Sequence, residues 1–435
     1  EEPLPDGFQV PTDGCRAAGT SGELVHLPPD DKGRDVVEIE LRVSRNQPEY
    51  DNEPVALVPD PGPSTANLRA ALRELALAAA SGTLPDQPGV ALLRGLTEAD
   101  GQPALRAVAD DASSEERIAA VVDAVHRRLG SYVAVQGPPG TGKTYLGSHV
   151  VKALIAEGWH IGVVAQSHSV VGNFLDACVE AGVPAEQVGQ NDRGRVNKAT
   201  PVGADSLGGF LAKHKEQGCI IGGTAWDFVN LGRVGRGELD LLVVDEAGQF
   251  CVANTLAASV AAQRLLLLGD PQQLPQVSQG THPEPVDDSA LGWLMNGSAT
   301  LSSELGYFLP VSWRMDPALC SKVSKLSYDG RLHSHTPATT ARHLEGIEPG
   351  LHAVPVHHEG NAICSTEEAG EVVRIAKTLI GKTWKGAEDE GARSLTAGDL
   401  LVVAAYNAQV NEIRRQLVQA GLRDVLVGTV DKIQG

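Results

Sequence analysis

The run Gly137-Pro138-Pro139-Gly140-Thr141-Gly142-Lys143-Thr144 narrows what this chain can fold into more than any other stretch. It fits G-x-x-x-x-G-K-[ST], a phosphate-binding loop that works only between a strand and a helix. Both flanks are present. Tyr132-Val133-Ala134-Val135-Gln136 is an apolar run suited to a buried strand, and residues 145–159 carry Leu146, Val150, Leu154 and Ile155 at helical spacing. Glycines let backbone N–H groups crowd around phosphate oxygens, and the helix N-terminus adds a favourable dipole. The expected phosphate contacts are therefore Gly137, Pro138, Pro139, Gly140, Thr141, Gly142, Lys143, Thr144 and the adjoining Tyr145. Lys143 is expected to reach the outer phosphates and the Thr144 hydroxyl to hold Mg²⁺.

Composition limits the setting. A chain of 435 residues has room for roughly two to four domains. Hydrophobic residues make up 42% and charged residues 21%, as in soluble globular proteins, and no apolar run is long enough to span a membrane. The start, EEPLPDGF, is neither a secretory signal nor a natural first segment, so a fragment of a cytoplasmic protein is expected. Cysteines at 15, 178, 219, 251, 320 and 364 form no C-x-x-C pair, which argues against zinc and iron–sulfur sites and for a reducing compartment. The net charge of −19 opposes phosphate backbones in bulk. Arg193, Arg195 and Lys198, Lys213-His214-Lys215, and Arg233 with Arg236 are the local basic candidates, read first as solvated loops.

Residues 1–65 are rich in Pro, Gly and Asp with short β-like runs at 23–27, 36–43 and 54–58, a small β-rich accessory region. Residues 66–112 form a helical and connector segment, with a helix at 67–80 and turn signals from 81 onward. From 113 to 304 helices (115–129, 170–181, 252–262) alternate with apolar strands (161–165, 219–222, 241–244, 264–268). That alternation predicts an α/β fold with a parallel sheet covered on both faces. A second α/β series fills 305–435, with strands at 351–355, 400–404 and 425–429 and helices at 366–380 and 408–420.

Leu241-Leu242-Val243-Val244 leads into Asp245 and Glu246. Asp245 is placed to hold Mg²⁺, and Glu246 to activate an attacking water. The next strand ends in Gly269-Asp270-Pro271-Gln272-Gln273, where a neutral amide either touches a γ-phosphate or belongs to a plain polar turn. His333-Ser334-His335 and His357-His358-Glu359 lack further ligands at metal spacing and read as surface loops. No D…E-x-K nuclease constellation is present.

In this order GPPGTGKT, DEAGQ and GDPQQLPQV resemble motifs I, II and III of superfamily 1 helicases, within them the 5′→3′ 1B branch. Further segments are similar to the same branch: Gln166-Ser167-His168 with Asn173, Gly222-Gly223-Thr224-Ala225, LPVSWRMDP at 309–317, and Gly428-Thr429-Val430 onward. The wording around them resembles the C-terminal helicase part of bacterial proteins that fuse a RecB-like nuclease to this motor. The resemblance implies tandem RecA-like P-loop NTPase domains, the second incomplete, with ATP and Mg²⁺ bound between them. It implies single-stranded nucleic acid as partner, DNA favoured over RNA, a fused or associated nuclease domain, no membrane, and a monomer. It gives Gln273 the γ-phosphate, Arg314 the role of an arginine finger in cis, and Trp313 a stacking face for the nucleobase where the family usually has Tyr. Ser167, His168 and Thr224 would contact the nucleic-acid backbone in the first domain and Thr429 in the second. Residues 113–117 lack the family's adenine-reading Gln, Asp316 stands where His is common, and the chain ends before motif VI. Two other classes remain open: a ring-forming AAA+ remodelling ATPase, and a binding module that uses NTP as a switch without translocation.

Overall fold

The computed structural model describes residues 64–191, 197–275, 282–386, 391–430 and 433, and the backbone of two strands nearer the N-terminus. Those strands, β1 (Gly22–Leu27) and β2 (Val36–Leu41), pair antiparallel within a compact unit ending at Ser64. The expected run at 54–58, Cys15, Arg193 and Arg195 lie outside the described residues.

The second unit begins at Thr65 and opens with α1 (Ala66–Ala80) and α2 (Pro88–Arg94). The turn signals after residue 80 suggested a bare connector, yet α2 is a core helix with Ala91 and Leu92 buried. Its limits explain the disguise: Pro88 stands in the first turn and Gly95 ends the helix in the left-handed region at φ 59°. Next, α3 (Ser114–Arg127) starts from a reciprocal cap. The Glu116 N–H donates to Ser113 Oγ at 3.2 Å, and the Ser113 N–H donates to the Glu116 carboxylate at 2.9 Å.

An eight-stranded, wholly parallel sheet follows: β3 (Tyr132–Gln136), β4 (His160–Val164), β5 (Val188–Asn191), β6 (Thr200–Val202), β7 (Cys219–Gly223), β8 (Leu241–Asp245), β9 (Leu265–Gly269) and β10 (Gly306–Phe308). Their spatial order is β10-β3-β9-β8-β4-β7-β5-β6. Strands β3, β7, β8 and β9 are buried along their whole length, which is why they read as unbroken apolar runs. One face packs on α3, α4 (Lys143–Ala156) and α5 (His168–Glu180) through Val121, Val150, Leu154, Phe174 and Leu175. The opposite face packs on α1, α2, α6 (Leu207–Lys213), α7 (Ala225–Phe228), α8 (Val252–Ser259) and α9 (Ala290–Met295).

The expected break at 304/305 needs correcting, because β10 belongs to the first sheet and pairs with β3. Gly306 permits it: a Cβ there would sit 1.9 Å from the Ala134 carbonyl oxygen. Beyond it, β11 (Val311–Ser312) pairs in parallel with β12 (His333–Ser334) across α10 (Pro317–Ser327), and α11 (Thr336–Thr340) follows. A small antiparallel sheet, β13 (His343–Leu344), β14 (Thr383–Lys385) and β15 (Arg393–Ser394), was not anticipated. The parallel pair β16 (Leu401–Val403) and β17 (Leu426–Gly428) packs on α12 (Thr366–Leu379) and α13 (Asn407–Gln419) through Ala376, Val410, Ile413, Leu417 and Val427. The expected strand at 351–355 does not form: Leu351 is exposed, and Pro355 has no N–H for a ladder.

The ends of β8 and β9 touch backbone to backbone. A Cβ on Gly269 would lie 2.3 Å from the Gly248 nitrogen and 2.7 Å from that of Ala247. Gly269→Ala is therefore expected to lower the unfolding free energy by about 1–3 kcal/mol, read as a lower denaturant midpoint at unchanged slope. An unchanged midpoint contradicts this packing.

Candidate nucleotide site

Parallel strands point their carboxyl ends to one edge of the sheet, where open α/β sheets bind ligands. Along this edge β10 leads to Trp313 and Arg314, β3 to the glycine loop, β9 to Asp270 and Gln273, β8 to Asp245 and Glu246, β4 to Ser167 and His168, and β7 to Thr224. The three strands bearing the phosphate loop, the acidic pair and the glutamine are immediate neighbours.

Helix α4 begins at Lys143, two residues before the expected start, with Gly142 as its cap at φ 84°. Gly140 is also left-handed, at φ 75°. The Thr141 hydroxyl donates to the Pro138 carbonyl at 2.8 Å and holds the loop closed. Lys143 Nζ donates to the Gly137 carbonyl at 2.8 Å, within its own loop. A Cβ on Gly137 would meet Lys143 Cγ at 2.2 Å, so the lysine can fold over the loop only because residue 137 is glycine. Thr144 opens the helix half-buried, and Tyr145 is exposed beside His149, ring centroids 4.0 Å apart.

Asp245 ends β8 almost fully buried, at 5% exposure. Burial, with Glu246 next to it, pushes its carboxyl up to about 7, against the pull of a backbone N–H and of Lys143. Glu246 has φ 52°, a left-handed conformation costing a non-glycine residue roughly 1–2 kcal/mol. The turn that imposes it is fixed by Ala247 N–H to Leu268 O at 2.8 Å and Gln249 N–H to Glu246 O at 2.8 Å. Such strain at a strand end aims a side chain. A glycine cradle under a lysine, beside a buried carboxylate crowded by a second one, fits a polyphosphate with a divalent cation. Thr144 and Asp245 are the residues that would hold the cation.

Asp270 was missed as a site residue, although it stood in the quoted run. It is 1% exposed and accepts four hydrogen bonds. Oδ1 takes the Gln272 N–H at 3.3 Å and the Gln136 amide at 3.4 Å; Oδ2 takes the Gln273 amide at 3.2 Å and the Tyr328 hydroxyl at 2.7 Å. Gln136 closes the network by donating to Ala299 O at 3.1 Å and accepting from Leu301 N–H at 2.7 Å. A polar residue ending the apolar run before the glycine loop was the available signal.

The segment after β10 lies on the phosphate loop. Ser312 Oγ donates to Pro139 O at 2.9 Å, and Trp313 N–H donates to Gly140 O at 2.8 Å. A Cβ on Gly140 would be 2.3 Å from Arg314 Cβ. Arg314 is thus held over the loop by backbone, with its side chain exposed. Trp313 is 49% exposed and stacks on His335, centroids 3.6 Å apart and planes at 18°. That stacking gives the His333-Ser334-His335 run a place, and among the described residues no metal-ligand cluster forms.

Ser167 caps α5, accepting from Val170 N–H at 3.3 Å, and His168 is the first residue of that helix. Thr224 caps α7, and both its N–H and its hydroxyl donate to Asp227, at 2.8 and 3.0 Å. Asp227 is itself buried and ion-paired with Arg233 at 2.6 Å. Thr429 follows β17 and stands apart from this edge in sequence, half-buried. Of the basic candidates, Lys198 pairs with Glu180, Arg233 with Asp227 and Asp205, and Arg236 with Glu74, and His214 is buried, while Lys213 and Lys215 are exposed.

Two family models, each described as an AAA domain, match residues 116–287 and 294–435. The chain is similar to the DNA replication ATP-dependent helicase/nuclease JHS1 of Arabidopsis thaliana, 24% identical over 338 residues that cover 70% of this chain and 23% of that protein. It is likewise similar to the DNA replication ATP-dependent helicase/nuclease DNA2 of Xenopus laevis, 26% identical over 348 residues covering 70% and 31%. The chain thus spans less than a third of either relative. Among solved structures, an arterivirus nonstructural protein 10 helicase with DNA matches 47% of this chain and 41% of its own, with 20% identity and a TM-score of 0.32. Among the described residues no helix is long and apolar enough to cross a membrane.

The state of Asp245 yields a prediction. Its folded-state value lies above the ordinary carboxylate value, so the folded chain binds the extra proton and stability falls as pH rises from about 4 to about 7. Asp245→Asn removes that loss. In metal-free buffer the variant should be more stable than the parent by roughly 2–4 kcal/mol near pH 8, with the difference vanishing near pH 4. Equal stability across that range contradicts the burial argument.

Proposed function

We propose that this chain is the motor portion of an ATP-dependent helicase that moves on single-stranded DNA, built from two RecA-like halves. The observation that carries this reading is the convergence at one sheet edge of the glycine loop, Asp245 with Glu246, Gln273, and the Arg314 segment lying on the loop. The similarity to helicase/nucleases supports DNA as the track and a nuclease as a covalent or associated companion. The resemblance of these motifs to the 1B branch supports 5′→3′ movement. The arginine comes from the same chain, so a neighbouring subunit is not required to complete the site.

In this reading the loop N–H groups and Lys143 bind the phosphates of ATP, with Lys143 exchanging the Gly137 carbonyl for a phosphate oxygen. Mg²⁺, held by Thr144 and Asp245, would neutralise charge on the phosphate oxygens. Glu246, aimed by its left-handed backbone, takes a proton from the attacking water. Gln273 and Arg314 would engage the outer phosphate, where hydrogen bonds and charge count most as the bond breaks. The exposed Trp313 face, buttressed by His335, stacks on the base without reading its edge, so the site tolerates several nucleobases. Ser167, His168 and Thr224 from the first half, and Thr429 from the second, are the residues assigned to the nucleic-acid backbone. Closure of the halves on ATP and release after hydrolysis then shift the strand stepwise.

ATP hydrolysis should rise at least about tenfold on adding single-stranded DNA, measured on a chain that includes its flanking sequence. Glu246→Gln should lower kcat by roughly 10²–10⁴ with nucleotide binding kept, and Lys143→Ala should lose binding as well. Hydrolysis indifferent to single strands would remove the translocase reading, and tight strand binding gated by ATP without turnover would favour a switch instead.

A further inference from the structure

The buried bond between Tyr328 and Asp270 joins the two arms of the nucleotide site, and nothing in the mechanism above uses it. Tyr328 follows α10 directly and is 2% exposed, with its ring among Phe308, Met315, Cys320 and Leu332. Its hydroxyl donates to Asp270 Oδ2 at 2.7 Å. The Gln273 amide donates to the same oxygen at the longer distance of 3.2 Å. The segment that bears Tyr328 also bears Ser312, Trp313 and Arg314, tied by hydrogen bonds to Pro139 and Gly140.

We propose that Tyr328 is a positioning residue that sets, through Asp270, how readily Gln273 turns toward the outer phosphate, so that Gln273 and Arg314 engage together. This rests on the nucleotide reading of the preceding subsection. A hydroxyl 2.7 Å from a buried carboxylate makes a strong, charge-assisted bond, and it draws on the oxygen that Gln273 shares. Gln273 is thereby held in the weaker of the two bonds and can exchange Asp270 for a phosphate oxygen. Without the hydroxyl, Asp270 loses the shortest of these bonds, its carboxylate is held less firmly, and Gln273 is no longer presented in the position from which it exchanges. Burial, and then Asp270 itself, hold the Tyr328 phenol far above its ordinary range, so it stays a donor wherever the protein is folded. When the 311–328 segment moves, Tyr328 and Arg314 move with it, and Asp270 carries that displacement to Gln273.

Tyr328→Phe removes one oxygen and keeps the ring in its apolar surroundings. Two measurements on the full chain test the proposal. In nucleotide-free protein, hydrogen exchange should quicken at the Gln272 and Gln273 amides, which bond to Asp270, while β3 and β8 stay protected. In steady-state assays kcat should fall about tenfold or more, with KM and the dissociation constant for ATP held within about twofold. Asp270→Asn should show the same split, and the double variant should be no worse than Asp270→Asn alone. Unchanged exchange, unchanged kcat, or losses that add in the double variant would each overturn the role of Tyr328. A parent protein that hydrolyses no NTP would instead sink the nucleotide reading, and the exchange measurement would still decide whether Tyr328 orders the Asp270 loop.

Discussion

Three neighbouring strand ends are locked to one another through their backbones, and the site exists because of that lock. Gly137 N–H meets Gly269 O at 2.9 Å, and Ala247 N–H meets Leu268 O at 2.8 Å. Adjacent strands lie about 4.8 Å apart, so groups at the ends of β3, β9 and β8 fall within roughly 10 Å of one another. The glycine loop, Gln273 and the Asp245-Glu246 pair can meet only if their strands are neighbours in that order. The glycines at 248 and 269 are required because no side chain fits where the turns after β8 and β9 cross.

The same edge holds two buried carboxylates in opposite conditions. Asp270 is met by four donors and is structurally complete. Asp245 has apolar surroundings and the Glu246 carboxylate beside it, and its proton affinity is raised to about 7. A buried acid only partly compensated, as Asp245 is by a backbone N–H and Lys143, destabilises a fold in its ionised form. One acid is therefore satisfied within the fold, and the other keeps a raised proton affinity there. Sequence position alone does not separate them, since both follow apolar strands.

The first half of the molecule was legible because its strands are buried on both faces and its loop motif demands a strand before and a helix after. Helix ends marked by Ser113, Ser167 and Ser365 were placed within one or two residues. Strands β5 and β6 were not seen, being short and carrying Gln190, Asn191 and Pro201 in place of apolar residues. The strand β10 was not seen, and the boundary at 304/305 left its residues in the second half, whereas Gly306 permits the close backbone approach to β3. In the site, Lys143, Asp245 and Glu246 announce themselves by pattern. Gln136, Asp270 and Tyr328 do not, because their partners come from segments up to 163 to 165 residues away for Gln136 and 58 for Tyr328.

The charge distribution constrains how a strand of nucleic acid could lie on this edge. A net charge of −19 repels it at long range, and Lys198, Arg233 and Arg236 are paired with carboxylates of the fold. Affinity built on released counterions needs unpaired Lys and Arg, and among the described basic candidates Lys213 and Lys215 are the exposed pair outside these ion pairs. What those strand ends offer is the start of the thirteen-residue helix α5, with the Ser167 hydroxyl at its cap. Donors of that kind position a backbone without holding it hard. In the proposed motor such a grip would allow release of the track in each cycle, since binding equally tight in every state would resist movement. Under the proposed function, the strength of attachment would have to be set from the nucleotide site, at the strand ends that carry Gln273 and Arg314 to one edge of the sheet.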